Sequence, residues 1–100
     1  MKWGLRKSGR SIDDLADIWD YIAADNVAAA DKLVRDLLAL FEKTADFPQL
    51  GHGAEEIAPD MRILSRGNYL LIYRLIPDEK TVELVRVVHG ARDWPALLET

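Results

Sequence analysis

The sequence predicts a two-layer α+β domain, in which an amphipathic helical hairpin lies on one face of a small antiparallel sheet. Three observations lead there. Apolar residues recur at helical spacing over 12–23 and again over 30–41. Three strand-like runs, Met61–Arg66, Tyr69–Ile76 and Thr81–His89, are separated by turn signals. The 100 residues are 49% hydrophobic and 30% charged, enough for a single core and a solvated surface, so 1–100 reads as one domain.

The first element is a short N-terminal edge strand over 2–6, where Trp3 and Leu5 alternate with small or polar neighbours. Ser8 and Ser11 both qualify as the N-cap of the first helix, because a hydroxyl can accept from an orphan amide. Ile12, Leu15, Ala16, Trp19, Ile22 and Ala23 form the helix's apolar stripe, and it ends near Asp25 and Asn26. Its aspartates fall mainly on the opposite side and read as a solvated surface, with Asp13 and Asp14 near the positive end of the helix dipole. The second helix carries Ala30, Leu33, Val34, Leu37, Leu38 and Phe41 on its apolar side. Pro48 stops it, since proline cannot continue the hydrogen-bond ladder. The short link at Asn26 makes the two helices antiparallel neighbours.

Residues 49–60 read as a loop. Within it, Gly51-His52-Gly53 is too short for a phosphate cradle and lacks a following Lys-Ser/Thr, so it reads as a turn. Gly67-Asn68 fits a tight hairpin turn, because both residues tolerate positive φ. Residues 77–80 turn the chain again, and 93–98 suggests a terminal turn or helix. The three long strands form a meander with one face covered by helices and the other free.

Composition excludes several function classes. Without cysteine there is no disulfide framework, no thiolate metal site and no thiol nucleophile, which suits a reducing cytoplasm. The first residues have no apolar signal segment, and no uncharged run approaches the ~20 residues of a membrane span. His52 and His89 are the only histidines, and neither has a second at ligand spacing, so no metal or cofactor is expected. A formal charge of -4 argues against a protein devoted to gripping a nucleic-acid backbone.

The arginines of the last third are the chemically informative group. Arg62 and Arg66 share a strand face. Arg74 has the parity of Leu70 and Ile72, and Arg86 that of Val82, Leu84 and Val88. A guanidinium among apolar neighbours needs a carboxylate, a carbonyl or an external anion. The residues leave two readings open. One is an internal ion pair, with Glu83, Asp93 or the C-terminal carboxylate. The other is a recognition surface for an acidic partner or an RNA phosphate. For RNA cleavage, the arginines would meet the phosphorane charge and His89 would move the proton, its unperturbed pKa lying near neutrality.

Taken together, several segments are similar to the RelE/ParE superfamily of bacterial type II toxins, and most to its ParE branch. They are Ser8 to Leu15, Ile18 to Ile22, Asp25-Asn26, Ala29-Ala30, Phe47 to Gly51, Met61-Arg62, Gly67 to Tyr69, Ile72 to Arg74 and Val85 to Asp93. The resemblance implies a cytoplasmic toxin neutralised by a ParD-like, ribbon-helix-helix antitoxin from the same operon. In the ParE branch it implies inhibition of DNA gyrase, and in the RelE branch cleavage of ribosome-bound mRNA. A third possibility is a toxin-like fold that serves only as a structural partner or co-repressor.

Partner binding is expected through Arg62, Arg66, Arg74, Arg86, Arg92 and Trp94. Of these, the resemblance matches Arg86 to the last-strand arginine of both branches and Arg62 to the basic residue of the second sheet strand in RelE-like nucleases. The antitoxin would add a helix or strand beside the helical hairpin, its acids meeting Arg62, Arg74 or Arg86. For a nuclease the corresponding residues would be Arg62, Arg86 and His89. RelE-type nucleases are lysine-rich near the strand holding Arg62 and carry a tyrosine near the C-terminus. This chain has Arg62 and Arg66 instead, and Trp94 is the nearest aromatic. Those departures favour a ParE-like protein without a catalytic cycle.

Overall fold

A computed structural model describes residues 2–90. The chain runs β1 (Gly4–Lys7), α1 (Gly9–Ala23), α2 (Val27–Glu42), a 3₁₀ turn (Lys43–Ala45), β2 (His52–Gly53), β3 (Met61–Arg66), β4 (Tyr69–Ile76), a second 3₁₀ turn (Pro77–Glu79) and β5 (Thr81–His89). The α+β architecture, the N-terminal strand, the helical hairpin and the meander agree with expectation. The terminal element expected at 93–98 lies outside the described residues.

Both helices start where a side chain can accept an orphan amide. Ser8 Oγ accepts from the Ser11 amide and Asn26 Oδ1 from the Ala29 amide, which makes Ser8 the cap of α1. Ser11 is instead buried one turn in, its hydroxyl donating to the Ser8 carbonyl. The hairpin is tied by the Trp19 indole, which donates to Asp31 Oδ1 at 2.8 Å. Trp19 is half-buried.

The sheet has five strands in the order β1-β5-β4-β3-β2. The departures from expectation lie at its outer members: β1 is the expected edge strand but pairs in parallel, and β2 is an added strand. β1 pairs in parallel with β5, Gly4 opposite Thr81 and Lys7 opposite Leu84. His52–Gly53, expected as a turn, adds a two-residue antiparallel strand to β3. A parallel partner must come from a distant part of the chain, and here it comes from the last strand.

The helices cover one face. Leu15, Leu37 and Phe41 pack there on Leu71, Tyr73, Val82, Leu84 and Val87. The opposite face is not bare, contrary to expectation. Met61, Ile63, Ile72 and Val88 form a second, smaller cluster beneath Ala54, Ile57 and Ala58 of the 54–60 segment. A register shift between Ile72 and Tyr73 changes the parity of β5. Tyr73 faces Leu84 but Ile72 faces Arg86, leaving Val85 as an extra residue. Hence Leu84 and Val87 lie in the helix-side cluster, while Val88 lies in the other. The parity expected to group Arg86 with Val82, Leu84 and Val88 does not survive this bulge.

Candidate functional site: the arginines of the sheet

Arg86 sits at the bulge and turns toward α1. Its Nε and Nη2 donate to Asp14 Oδ2 and Oδ1 at 2.8 and 3.1 Å, a two-pronged pair. Asp14 Oδ2 also accepts from the Val87 amide at 2.9 Å. Both side chains are nearly buried, 11% and 14% exposed. The Asp14 bonds raise the Arg86 pKa above its ordinary value, outweighing the opposing effect of burial. Asp14 was expected on a solvated helix surface. Its position in the second turn of α1 places it instead over the edge of β5, beyond the end of β1. Ser8 acts beside it, its hydroxyl donating to the Val85 carbonyl at 2.8 Å. Together they satisfy backbone groups of β5 that no strand reaches.

Arg62 is used differently. Its Nε donates to the Gly51 carbonyl at 2.8 Å and its Nη2 to the Gln49 carbonyl at 3.3 Å. Beside it, the fully buried Tyr73 hydroxyl accepts from the Gly51 amide at 2.7 Å and donates to the Pro48 carbonyl at 2.9 Å. Burial raises the Tyr73 pKa, so the donor to Pro48 stays protonated at neutral pH. The segment after α2 is thus pinned by two side chains, and it presents the exposed Phe47 and Leu50. A methyl group at Gly51 would stand 2.5 Å from the Ile63 carbonyl oxygen and 2.9 Å from Tyr73 Oη.

The remaining arginines pair near the surface. Arg66 Nη2 reaches Asp36 Oδ2 at 3.2 Å, an oxygen that also accepts from Lys32 Nζ at 2.9 Å. Lys32 above all, with Arg66, holds the Asp36 carboxyl below the usual range, against the effect of desolvation. Arg74 Nη2 meets Glu83 Oε1 at 2.8 Å on the face away from the helices, and Glu83 Oε2 accepts from Arg6 Nε at 3.1 Å. Glu83 was one of the internal partners expected for this group.

The nuclease set does not converge. Arg62 lies opposite Tyr73, whereas His89 lies opposite Tyr69, itself opposite Arg66. Four residues of strand separate those two levels, about 13 Å at ~3.3 Å per residue. Arg86 is turned to Asp14 between them. A different trio does align across β3, β4 and β5, namely Arg66, Tyr69 and His89. The rings of Tyr69 and His89 meet edge-to-face at 5.3 Å. Tyr69 is available to such chemistry from its residue type alone, but its alignment with Arg66 and His89 exists only in the register. Arg92 and Trp94 lie outside the described residues. Among the described residues, no three His, Asp or Glu side chains are grouped to hold a metal ion. No described helix is long and apolar enough to cross a membrane.

With this geometry in place, comparison with known proteins is decisive for the family. Residues 5–94 match the family described as the ParE toxin of the type II toxin-antitoxin system, parDE. The chain belongs to that family. Toxin ParE1 of Mycobacterium tuberculosis is 35% identical over 80 residues, 79% of this chain and 81% of its own length. Toxin ParE1 of Caulobacter vibrioides is 33% identical over 94 residues, covering 93% and 95% of the two chains. Among solved structures, the chromosomal ParDE system from P. aeruginosa aligns with a TM-score of 0.72. It covers 88% of this chain and 96% of that one at 21% identity, a likeness that speaks for the fold alone. The chain is therefore a toxin of the RelE/ParE superfamily, on its ParE-like side.

Proposed function

We propose that this ParE-family protein acts by binding other proteins and catalyses nothing. Its target in this reading is DNA gyrase. It is held inactive in the cytoplasm by a ParD-like, ribbon-helix-helix antitoxin. The observation that carries the reading is the dispersal of Arg62, Arg86 and His89. Acid–base cleavage needs its proton-transfer groups within hydrogen-bond reach of one bond. Here Arg62 clamps a loop, Arg86 is committed to Asp14, and His89 stands at another level of the sheet.

Arg66 and Arg74 are the arginines best suited to meet a partner. Their side chains are 54% and 46% exposed, and each internal pair can be exchanged for an acid of the partner at little cost. A purified-gyrase assay tests the proposal. The toxin should block supercoiling and accumulate cleaved DNA, and the antitoxin encoded beside it should restore activity. Unchanged supercoiling at large toxin excess would overturn it.

One observation favours a second reading. Arg66, Tyr69 and His89 form a row that could hold a phosphate beside an imidazole. Under that reading, primer extension after induction would map cuts in ribosome-bound mRNA. Growth unaffected by expression without antitoxin would favour a co-repressor role instead.

A further inference from the structure

Among the described residues the outer edge of β1 is open, and it is positively charged. β1 ends the sheet, and among the described residues no strand lies beyond it. The Gly4 amide donates to the Lys80 carbonyl and the Ser8 amide to the Leu84 carbonyl. Backbone groups alternate along a strand. Gly4, Arg6 and Ser8 therefore face β5, and the amides and carbonyls of Leu5 and Lys7 face outward. All four residues of β1 are exposed, Leu5 by 38%.

Natural edges of this kind are blunted by a bulge, a proline or a covering element. β5 illustrates such protection, since beyond β1 its backbone is capped by Ser8 and Asp14. The outward row beside β1 is tied only at its start, where the Trp3 amide donates to the Ala45 carbonyl at 2.8 Å; among the described residues nothing caps Leu5 or Lys7. It is also the most basic stretch of an acidic chain. Residues 1–10 contain Lys2, Arg6, Lys7 and Arg10 and none of the 17 acids. Lys2 and Lys7 are exposed and take part in no ion pair among the described residues.

We infer that the outer edge of β1 is a docking site for an extended, acidic segment of the antitoxin, which joins the sheet as a sixth strand. This rests on the toxin–antitoxin reading above. Main-chain hydrogen bonds to Leu5 and Lys7 would supply the register, and acids would meet Lys2 and Lys7. A second copy of this chain is the poorer occupant. Self-pairing along this edge would bring two basic stretches together with no acid in either, which is repulsive.

Amide hydrogen exchange on the toxin alone and bound to the antitoxin encoded in the adjacent reading frame tests this. The Leu5 and Lys7 amides should exchange freely in the toxin alone and slow by about tenfold or more in the complex. Leu5→Pro removes one outward donor and is compatible with an edge position. It should weaken the complex by about tenfold, the equivalent of a lost hydrogen bond at the interface. Lys2→Glu with Lys7→Glu should slow association and flatten its salt dependence.

If the antitoxin binds while both amides exchange as before and Leu5→Pro binds normally, the docking site is wrong and the toxin reading stands. Failure of the antitoxin to bind at all would sink both. Protection of both amides in the toxin alone would also overturn the inference. Dependence of that protection on protein concentration would then indicate a second copy, and independence a segment of the same chain.

Discussion

Asp14 and Arg86 lie 72 residues apart in sequence, yet the Asp14 carboxylate takes both prongs of the Arg86 guanidinium and the neighbouring Val87 amide. One carboxylate thus fastens the first helix to the last strand. It satisfies a nearly buried cation and an edge backbone donor together. An arginine at this position of a ParE-family chain therefore has an internal task, whatever its relatives do with theirs.

Arg86→Ala should destabilise the fold by about 3–5 kcal/mol, because it leaves a nearly buried carboxylate without its countercharge. Asp14→Ala should cost a similar amount. The double variant should lose clearly less than the sum, as expected for residues in direct contact. Denaturant unfolding of the four proteins checks this. Additive losses would show that the two residues act independently.

The pinned segment after α2 makes a second expectation. Tyr73→Phe removes the acceptor of the Gly51 amide and the donor to Pro48. Buried partners left unsatisfied cost about 1–3 kcal/mol. Exchange of the Gly51 amide should quicken more than that of the sheet amides. Gly51→Ala should be worse tolerated than its small size suggests, since the added carbon meets the Ile63 backbone at 2.5 Å. Thermal melts of both variants provide the comparison.

Arg66→Ala and Arg74→Ala should change stability by no more than about 1 kcal/mol, the range of exposed pairs. Any marked loss of gyrase inhibition or antitoxin affinity in these variants would then report recognition, with folding excluded by an unchanged melt. Full activity in both would remove them from the binding surface.

Acid should weaken the Asp36 link. The carboxyl is held below its unfolded value by Lys32 and Arg66. Its contribution is therefore complete above the unfolded carboxylate range and is lost as pH falls through the lower folded value. Carbon-detected titration should place Asp36 below the ordinary aspartate value. Lys32→Ala should move it back further than Arg66→Ala does.

The helices and the three long strands were legible because each is a local pattern. The Leu15, Leu37 and Phe41 stripe repeats at helical spacing, and Gly67 sits at a φ of 58° in the turn where its freedom is needed. The parallel seat of β1 was not legible, because nothing within 4–7 names a partner at 81–84. Nor was the β5 bulge, since Val82 to Val88 is apolar almost throughout and no local residue marks the extra position. That bulge is why the parity of Arg86 misled. Asp14 was misread for a related reason. A carboxylate early in a helix looks the same whether water or a strand edge lies opposite. The outer arginines were legible as a group needing partners, and a carbonyl was among the partners expected; that Arg62 would take those of Gln49 and Gly51 exists only in the fold.

The pairing of β1 with β5 bears on when this molecule becomes dangerous. Ser8 reaches Val85 across 77 residues, so the first strand has no seat until the last has been translated. Synthesis proceeds at about 5–20 residues per second, and long-range parallel pairing is slow to form afterwards. A nascent chain therefore cannot complete its sheet until β5 has left the ribosome. A cognate antitoxin has that interval in which to be waiting.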